Sequence, residues 1–355
     1  MAQTRQGVTM SPFDQKPERI FLNKRQIKKV EQGKLADYLK PDQIELLFQH
    51  CKAWSFKSGS FIVRQGQAAE GVYIIIDGSV DMVARILGEG NTNIDYLESG
   101  GLIGGISFIE LKRSPASAIA KTNVTCLFVS NVYFDFLNAI DPDAKYQITK
   151  AINTQLCKSM KRTHDQAVKY ISKSDMVGLS FIGRALHSAT QPVTLELKGE
   201  QDDNLVRLMQ NPLMNIFSSE EKQELLMHSS FIRAPKNCIL IHESEKQASC
   251  YIMLHGAVQS SILQDNKLAK LSVIGPGSLF AGIGCIDKKS TFTISFITCE
   301  SAVLFKLSDE DLTYFKQKSP MIWYKLFSYI SQSLVALAES VNKLDVRLHI
   351  ESYNR

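Results

Sequence analysis

The sequence has little that would support catalysis, export or membrane insertion. No run approaches the ~18 uninterrupted apolar residues that a bilayer span requires. The opening Met1-Ala2-Gln3-Thr4-Arg5-Gln6 lacks the apolar core of a secretory signal, so neither a membrane span nor export is expected. The seven histidines (His50, His164, His187, His228, His242, His255 and His349) are scattered, with no HExxH and no i,i+4 pair. That leaves no metal site to expect. There is no GxSxG, no Walker loop and no GxGxxG, and Glu110 and Glu243 read as surface carboxylates near strand ends, so no enzyme activity, catalytic residue or cofactor is expected. The seven cysteines are odd in number and never spaced as CxxC, and several sit in apolar, strand-like runs. They read as reduced thiols in the cytoplasm, not as disulfides or a zinc site.

What is present is an ordinary globular composition. The chain has 355 residues, 44% apolar and 22% charged, enough for about two domains. Lysine and arginine number 41 against 36 aspartates and glutamates, a formal net charge of +5. Phosphate backbones are gripped by clustered cations, and this excess is mild. The densest basic stretch, Lys24, Arg25, Lys28 and Lys29, reads as part of a solvated, flexible arm over residues 1–34, the alternative being contact with an acidic partner or a membrane surface.

The strongest signal is internal repetition. Gly59–Gly78 aligns without a gap on Asn237–Gly256 at an offset of 178, placing Tyr73 on Tyr251, Ile74 on Ile252, Gly78 on Gly256 and, just beyond, Val80 on Val258. Glu45-Leu46-Leu47 matches Glu224-Leu225-Leu226 at 179, and Lys112-Arg113-Ser114 matches Lys288-Lys289-Ser290 at 176. A nearly constant offset over that distance means a duplicated domain, not a short solenoid repeat.

Each copy opens with a short helix, Pro41–Cys51 or Ser218–His228, the second with Ser218 and Glu221 spaced as a capping box. Short β-branched and aromatic strands punctuated by glycines follow, predicting two antiparallel β-barrel or jelly-roll domains, each flanked by helices: a mainly β protein with α elements. Each copy ends in a long helix. In the second, Trp323, Leu326, Ile330, Leu334, Leu337, Val341, Leu344 and Leu348 step by three and four, a stripe that suits pairing with the same helix of a second copy in a homodimer, the alternative being core packing within the chain. The first copy's counterpart (Ile148, Ile152, Leu156, Met160, Ala167, Ile171) is interrupted by Lys161, Arg162 and His164. The expected organisation is an arm over 1–34, a first domain over 35–172, a linker over 173–211 with a strand near Val193–Leu197, and a second domain over 212–355.

Gly59, Ile62, Gly66, Tyr73, Ile75, Gly78 and Val80 follow the spacing Gly-x-x-Ile-x-x-x-Gly-x6-Tyr-x-Ile-x-x-Gly-x-Val, and the second copy keeps Leu240, Tyr251, Gly256 and Val258, with Asn237 and Ser244 in place of glycines. In this the chain resembles the cyclic nucleotide-binding domain family. The tandem arrangement is similar to regulatory subunits of the cyclic-AMP-dependent kinase, and a single copy to the sensor half of catabolite-activator regulators. The resemblance implies a ligand turn reading roughly Phe-Gly-Glu-Leu-Ala, then Pro-Arg-Ala-Ala-Thr, with the glutamate accepting from the ribose hydroxyl and the arginine gripping the cyclic phosphate.

Neither copy carries that pair. Pocket one reads Ile103-Gly104-Gly105-Ile106-Ser107, then Arg113-Ser114-Pro115-Ala116-Ser117, with Gly105 in the glutamate slot and Ser114 in the arginine slot. Pocket two reads Phe280-Ala281-Gly282-Ile283-Gly284, then Lys289-Ser290-Thr291-Phe292-Thr293, with Gly282 and Ser290 in those slots. Each lost charge-assisted contact is worth ~1.5–3 kcal/mol, so the two together predict ~10²–10⁴-fold weaker capture. Arg113 and Lys289 precede the serine slot by one residue and, on a strand, point the other way. Hydroxyls at Ser114, Ser117, Ser290 and Thr293 and backbone amides at the glycines remain as anion contacts.

The expected function is therefore a non-catalytic regulatory protein whose domains do not take cyclic AMP or cyclic GMP in the usual way and act by contact with a protein partner. The alternative is a receptor for a different nucleotide, a cyclic dinucleotide or a nucleoside, with Arg64, Arg113 and Lys289 as the cations in reach. A DNA-binding domain is not expected, with seven residues after Leu348. A kinase-inhibitor subunit would need a basic inhibitor segment, which Arg5-Gln6-Gly7-Val8-Thr9 matches poorly.

Overall fold

The computed structural model describes residues 16–68, 70–86, 90–110, 112–173, 191–195, 202–241, 248–264, 267–286 and 294–353. It divides into two compact units, Met1–Gln155 and Leu156–Arg355. The boundary falls inside the long helix of the first repeat, not at 172/173.

The first unit contains, in order, β1 (Glu18–Ile20), α1 (Lys24–Glu31), α2 (Pro41–His50), β2 (Lys52–Phe56), β3 (Phe61–Val63), β4 (Gly71–Asp77), β5 (Ser79–Ile86), β6 (Gly90–Glu98), β7 (Leu102–Ile103), α3 (Gly105–Glu110), β8 (Ser117–Ala120), β9 (Val124–Ser130), α4 (Asn131–Ile140) and the start of α5 (Pro142–Lys173). The strands form two sheets, ordered β1-β2-β9-β4-β7 and β3-β8-β5-β6. Side chains alternate across each strand, so each sheet has two distinct faces. Phe56, Ile75, Ile103 and Cys126 from the first sheet meet Ile62, Val80, Leu97 and Ala118 from the second in a shared core. The other face of the first sheet, carrying Ile74, Ile76, Leu127 and Val129, is covered by Val30, Leu47, Phe134, Ile148 and Ile152 from the helices. The sheets stay open, so each domain is a two-sheet jelly roll and not a closed barrel.

From Glu18 onward, the stretch expected as a flexible arm joins this unit. β1 pairs with β2, and α1 is capped by Asn23, whose side chain accepts from the Gln26 amide. Val30 is buried in the core, and Lys29 Nζ lies 2.8 Å from Asp77 Oδ1. One apolar turn of helix and one ion pair give this basic segment a docking face.

The second unit takes the rest of α5, then β10 (Val193–Leu195), α6 (Asp203–Met209), α7 (Ser219–Met227), β11 (Ser230–Ala234), β12 (Ile239–Ile241), β13 (Cys250–His255), β14 (Val258–Gln264), β15 (Lys267–Ile274), β16 (Leu279–Ala281), α8 (Ile283–Ile286), β17 (Ile294–Thr298), β18 (Ala302–Leu307), α9 (Asp309–Lys318) and α10 (Pro320–Tyr353). Its sheets run β10-β11-β18-β13-β16 and β12-β17-β14-β15, the order of the first unit with nine added to every strand. The duplication read from the offsets is thus a duplication of topology. Gly78 and Gly256 show its backbone basis: φ is +91° and +87°, and a Cβ would lie 2.3 Å from the Asn123 carbonyl oxygen and 2.6 Å from that of Ser301. Only glycine fits there. Asn237 holds φ +64° where Gly59 holds +85°, because asparagine is the side-chain-bearing residue that best tolerates this region.

The capping box at α7 forms as expected: Ser218 Oγ accepts from the Glu221 amide, and the Glu221 carboxylate accepts from the Ser218 amide. At the other end of α5, Lys267 Nζ donates to the carbonyls of Ile171 and Ser172, satisfying acceptors that a helix C-terminus leaves open.

The apolar stripe of α10 differs from its expected role. Trp323, Leu326, Ile330, Leu334, Leu337, Val341, Leu344 and Leu348 are all buried within their own chain, Ile330 and Val341 completely. α10 lies along β15 and β16. A three-four stripe specifies a face to be covered, and here this chain covers it.

Candidate functional site

In both units the turn expected to hold ligand follows an edge strand. β7 pairs with β4, setting Ile103 opposite Tyr73; β16 pairs with β13, setting Phe280 opposite Tyr251. The next residue takes a left-handed backbone in each copy, Gly104 at φ +87° and Ala281 at φ +70°. In the first unit the Gly104 carbonyl accepts from the Phe108 amide, which starts α3; in the second the Gly282 amide donates to the Ser249 carbonyl.

Gly105 and Gly282, in the two glutamate slots, face the long helices. A Cβ on Gly105 would sit 2.6 Å from Ile152 Cγ2 on α5, and one on Gly282 would sit 3.2 Å from Ile330 Cγ2 on α10. Carbon atoms rest ~3.5–4.0 Å apart. An isoleucine therefore crowds the start of any side chain at either position. Ile152 and Ile330 are themselves separated by 178, so the crowding is repeated along with the fold.

Three residues further along each helix the copies differ. Gln155 spans from α5 to the edge strand: its Oε1 accepts from the Leu102 amide and its Nε2 donates to the Leu102 carbonyl, both at 2.8 Å. The equivalent in α10 is Ser333, whose Oγ donates to the Ile330 carbonyl at 2.9 Å and lies 3.5 Å from the Ala281 carbonyl oxygen. A serine cannot bridge the space that a glutamine fills.

A cavity of about 260 Å³ opens on this side of the second unit. Phe280, Phe296, Leu334 and Leu337 supply its apolar wall. Hydroxyls come from Ser272, Ser278, Ser333 and Ser340, and Ala281 and Ile283 of the turn complete one side. Every described residue lining it is uncharged.

The segment expected to supply the phosphate grip in the first unit is stitched to the β3–β4 turn. The Ser114 amide donates to the Gln67 carbonyl and the Gly66 amide to the Ser114 carbonyl, both at 2.8 Å. Ser114 is buried, with Oγ donating to the Ala116 carbonyl; Ser117 Oγ accepts from the Gln65 amide. Arg113 points the opposite way, exposed, with Nη1 on the Gly66 carbonyl at 2.8 Å. Arg64 lies over the Phe61 ring, 4.0 Å from its centroid. Ile106 is half-buried and Ser107 buried on α3; Ile283 and Gly284 are half-buried on α8. Lys289, Ser290 and Thr293 lie outside the described residues. Sequence reasoning had Ile152 and Ile330 only as stripe residues, not at the turns, and missed Gln155 and Ser333. The constant offset paired them across the copies, but only the tertiary structure brings them to the turns.

All seven cysteines are free thiols, four of them buried. Burial pushes the Cys51 thiol up to about 12, and does the same for the Tyr73 phenol beneath the first turn. Among the described residues, no helix is long and apolar enough to cross a membrane and no group of three His, Cys, Asp or Glu could hold a metal.

Residues 53–139 and 231–319 match the family described as cyclic nucleotide-binding domain. The chain is a tandem cyclic nucleotide-binding domain protein. Among curated relatives, 140 residues are 27% identical to Solute carrier family 9 member C1 of Mus musculus, covering 35% of this chain and 12% of that protein. A stretch of 124 residues is 25% identical to the cAMP-activated global transcriptional regulator CRP of Salmonella typhimurium, covering 35% of this chain and 57% of that one. The chain thus spans little of the first relative and just over half of the second. Solved structures of similar fold include a cyclic nucleotide-binding domain from Methylobacillus flagellatus, at 16% identity and a TM-score of 0.37, covering 41% of this chain and 86% of that one. The regulatory domain of Toxoplasma gondii PKA with cAMP covers 86% and 97% at 12% identity, with a TM-score of 0.30.

Proposed function

We propose that this tandem cyclic nucleotide-binding domain protein is a non-catalytic regulator that does not capture cyclic AMP or cyclic GMP in the usual way and acts through a protein partner. The observation that carries the reading is the crowding of both glutamate slots: Ile152 against Gly105 and Ile330 against Gly282. A ribose hydroxyl seated there meets a methyl group where it needs a carboxylate. The first domain's serines are engaged by backbone groups and its arginine by a carbonyl, which weakens any substitute grip. A homodimer through α10 is no part of this proposal, since the stripe that would form it is buried in its own chain. A reducing cytoplasm fits seven free thiols.

Titrating the full chain with cyclic AMP and cyclic GMP while following its melting temperature tests the reading. A ligand at 100-fold over its Kd adds ~2.7 kcal/mol, which for a domain of this size is several degrees. No shift is expected. A clear shift with either compound refutes the proposal.

The second reading, a receptor for another ligand that acts through the long helix, is favoured by the cavity beside α10. Occupancy there would bear directly on Ser333 and Leu337, and so on helix placement. It predicts that a bound ligand alters the emission of Trp323, which lies on the same helix; binding with unchanged emission would refute it.

A further inference from the structure

We infer that the cavity of the second domain is a site for an uncharged aromatic molecule carrying an N–H or O–H donor; this rests on the second reading above. The class follows from the walls. Phe280 and Phe296, packed with ring centroids 5.3 Å apart and planes tilted by 32°, make the wall aromatic, and their accessible edges suit another aromatic ring. All described lining residues are neutral, and an ionised phosphate or carboxylate set against such a wall gives up part of its hydration without a charged partner. The hydroxyls set the polarity of the ligand. Ser333 Oγ gives its hydrogen to the Ile330 carbonyl and Ser340 Oγ gives its hydrogen to the Ala336 carbonyl. Each retains lone pairs, so both α10 hydroxyls present acceptors to the cavity, which suits a ligand N–H or O–H.

A second observation at the same place is the backbone of Ala281. It lines the cavity at φ +70°, a conformation that costs an alanine and that glycine holds at the equivalent Gly104. Strain of this kind concentrates at ligand sites. In the first domain, the equivalent helix position holds Gln155, whose amide is tied to the Leu102 backbone. The inference therefore applies to the second domain alone.

The test uses the full chain and three uncharged donors, indole, phenol and adenine. Each is paired with a methylated form lacking every donor hydrogen (1-methylindole, anisole and N6,N6,9-trimethyladenine) and with an anion (indole-3-acetate, phenyl phosphate and AMP). Binding is read by saturation-transfer NMR and competition. At least one uncharged donor is expected to bind at about millimolar or tighter, with its methylated and anionic partners each weaker by roughly tenfold. Two variants narrow the cavity. Ser333→Phe does so from α10, and Gly275→Trp from the β15–β16 turn, where a Cβ meets nothing within 4 Å. In whichever variant keeps the parent melting temperature, binding should be lost. The inference is overturned if no uncharged donor binds, if methylated or anionic partners bind as well, or if binding survives in a folded, narrowed variant. Tight binding of the anions would also count against the loss of the cyclic-phosphate grip. Failure of every probe to bind would remove this inference and leave the partner-contact reading intact.

Discussion

A double-mutant cycle between Gly105 and Ile152 tests the physical core of this account. Ile152 is 3% exposed, so Ile152→Ala should destabilise the first domain by about 2–5 kcal/mol through lost burial and the void left behind. In the parent, Gly105→Ala places a Cβ 2.6 Å from Ile152 Cγ2 and 3.3 Å from its Cγ1. Reaching ordinary contact requires the isoleucine to withdraw by about 1 Å, an overpacking cost of about 1–3 kcal/mol. In the Ile152→Ala background both γ carbons are gone and the closest remaining atom is the residue's own Cβ, at 3.5 Å, an ordinary contact. The same glycine substitution should then cost nothing and fill part of the void. The expected coupling is about 1–3 kcal/mol, in favour of the double mutant.

The chain has two tryptophans, Trp54 on β2 and Trp323 on α10. A Trp323→Phe parent therefore leaves Trp54 as the sole fluorescent reporter, and urea unfolding in that background reads the first domain directly. If the two substitutions add to within about 0.5 kcal/mol, the glycine is not set by the helix. The argument that a side chain is excluded from this slot would then fail. The second domain provides an internal contrast. Gly282 has φ +78°, so Gly282→Ala carries a backbone cost of ~1–2 kcal/mol that Ile330→Ala cannot relieve.

Three further outcomes follow from the same structure. Gly59→Ala should cost ~1–2 kcal/mol, since φ is +85° with open space around the Cβ, whereas Asn237→Gly at the equivalent position should be close to neutral; equal effects on urea midpoints would contradict the backbone argument. Ser218→Ala should cost about 1 kcal/mol by removing the α7 cap, and Ser218→Asp should restore most of it; chemical denaturation followed through Trp323 checks both. The hydrogen bond from Lys29 holds the Asp77 carboxyl below its usual range, so the pair's contribution is present above the unfolded carboxylate pKa of ~3.9 and lost as pH falls through the folded value. Both side chains are well exposed, so Asp77→Asn should cost no more than ~1 kcal/mol at neutral pH, with parent and variant converging in acid and in high salt.

The fold was legible where local chemistry decides it. The 178 offset, the glycines at Gly78 and Gly256, and the Ser218–Glu221 box each specify a turn or cap by themselves, and each stands where it was expected. The arm was misjudged because α1 carries only Ile27 and Val30 as apolar residues, too few for a periodicity signal. What fixes it is Val30 in the core and a lysine reaching an aspartate 48 residues away. The stripe of α10 was legible as a face but not as an interface. Period says which side must be covered, and nothing in it says by which chain.

The candidate site divides along the same line. Gly105, Gly282 and Ser114 were legible because absence of a charged side chain is a property of one residue. The crowding at Gly105 and Gly282 comes from α5 and α10, with Gly282 also required by its φ of +78°, and the Gln155 bridge closes a pair 53 residues apart. The two copies then differ by the reach of one side chain. Gln155 gives the first edge strand two hydrogen bonds, and Ser333 gives the second one long contact beside a cavity. Losing a glutamate and an arginine would by itself weaken both domains toward cyclic monophosphates alike. It would not account for a helix position that bridges to the edge strand in one copy and lines a cavity in the other. That asymmetry lies in the helices, not in the turns. Changes that separate the two domains in ligand response should therefore map to positions 155 and 333 before any residue of the turns themselves.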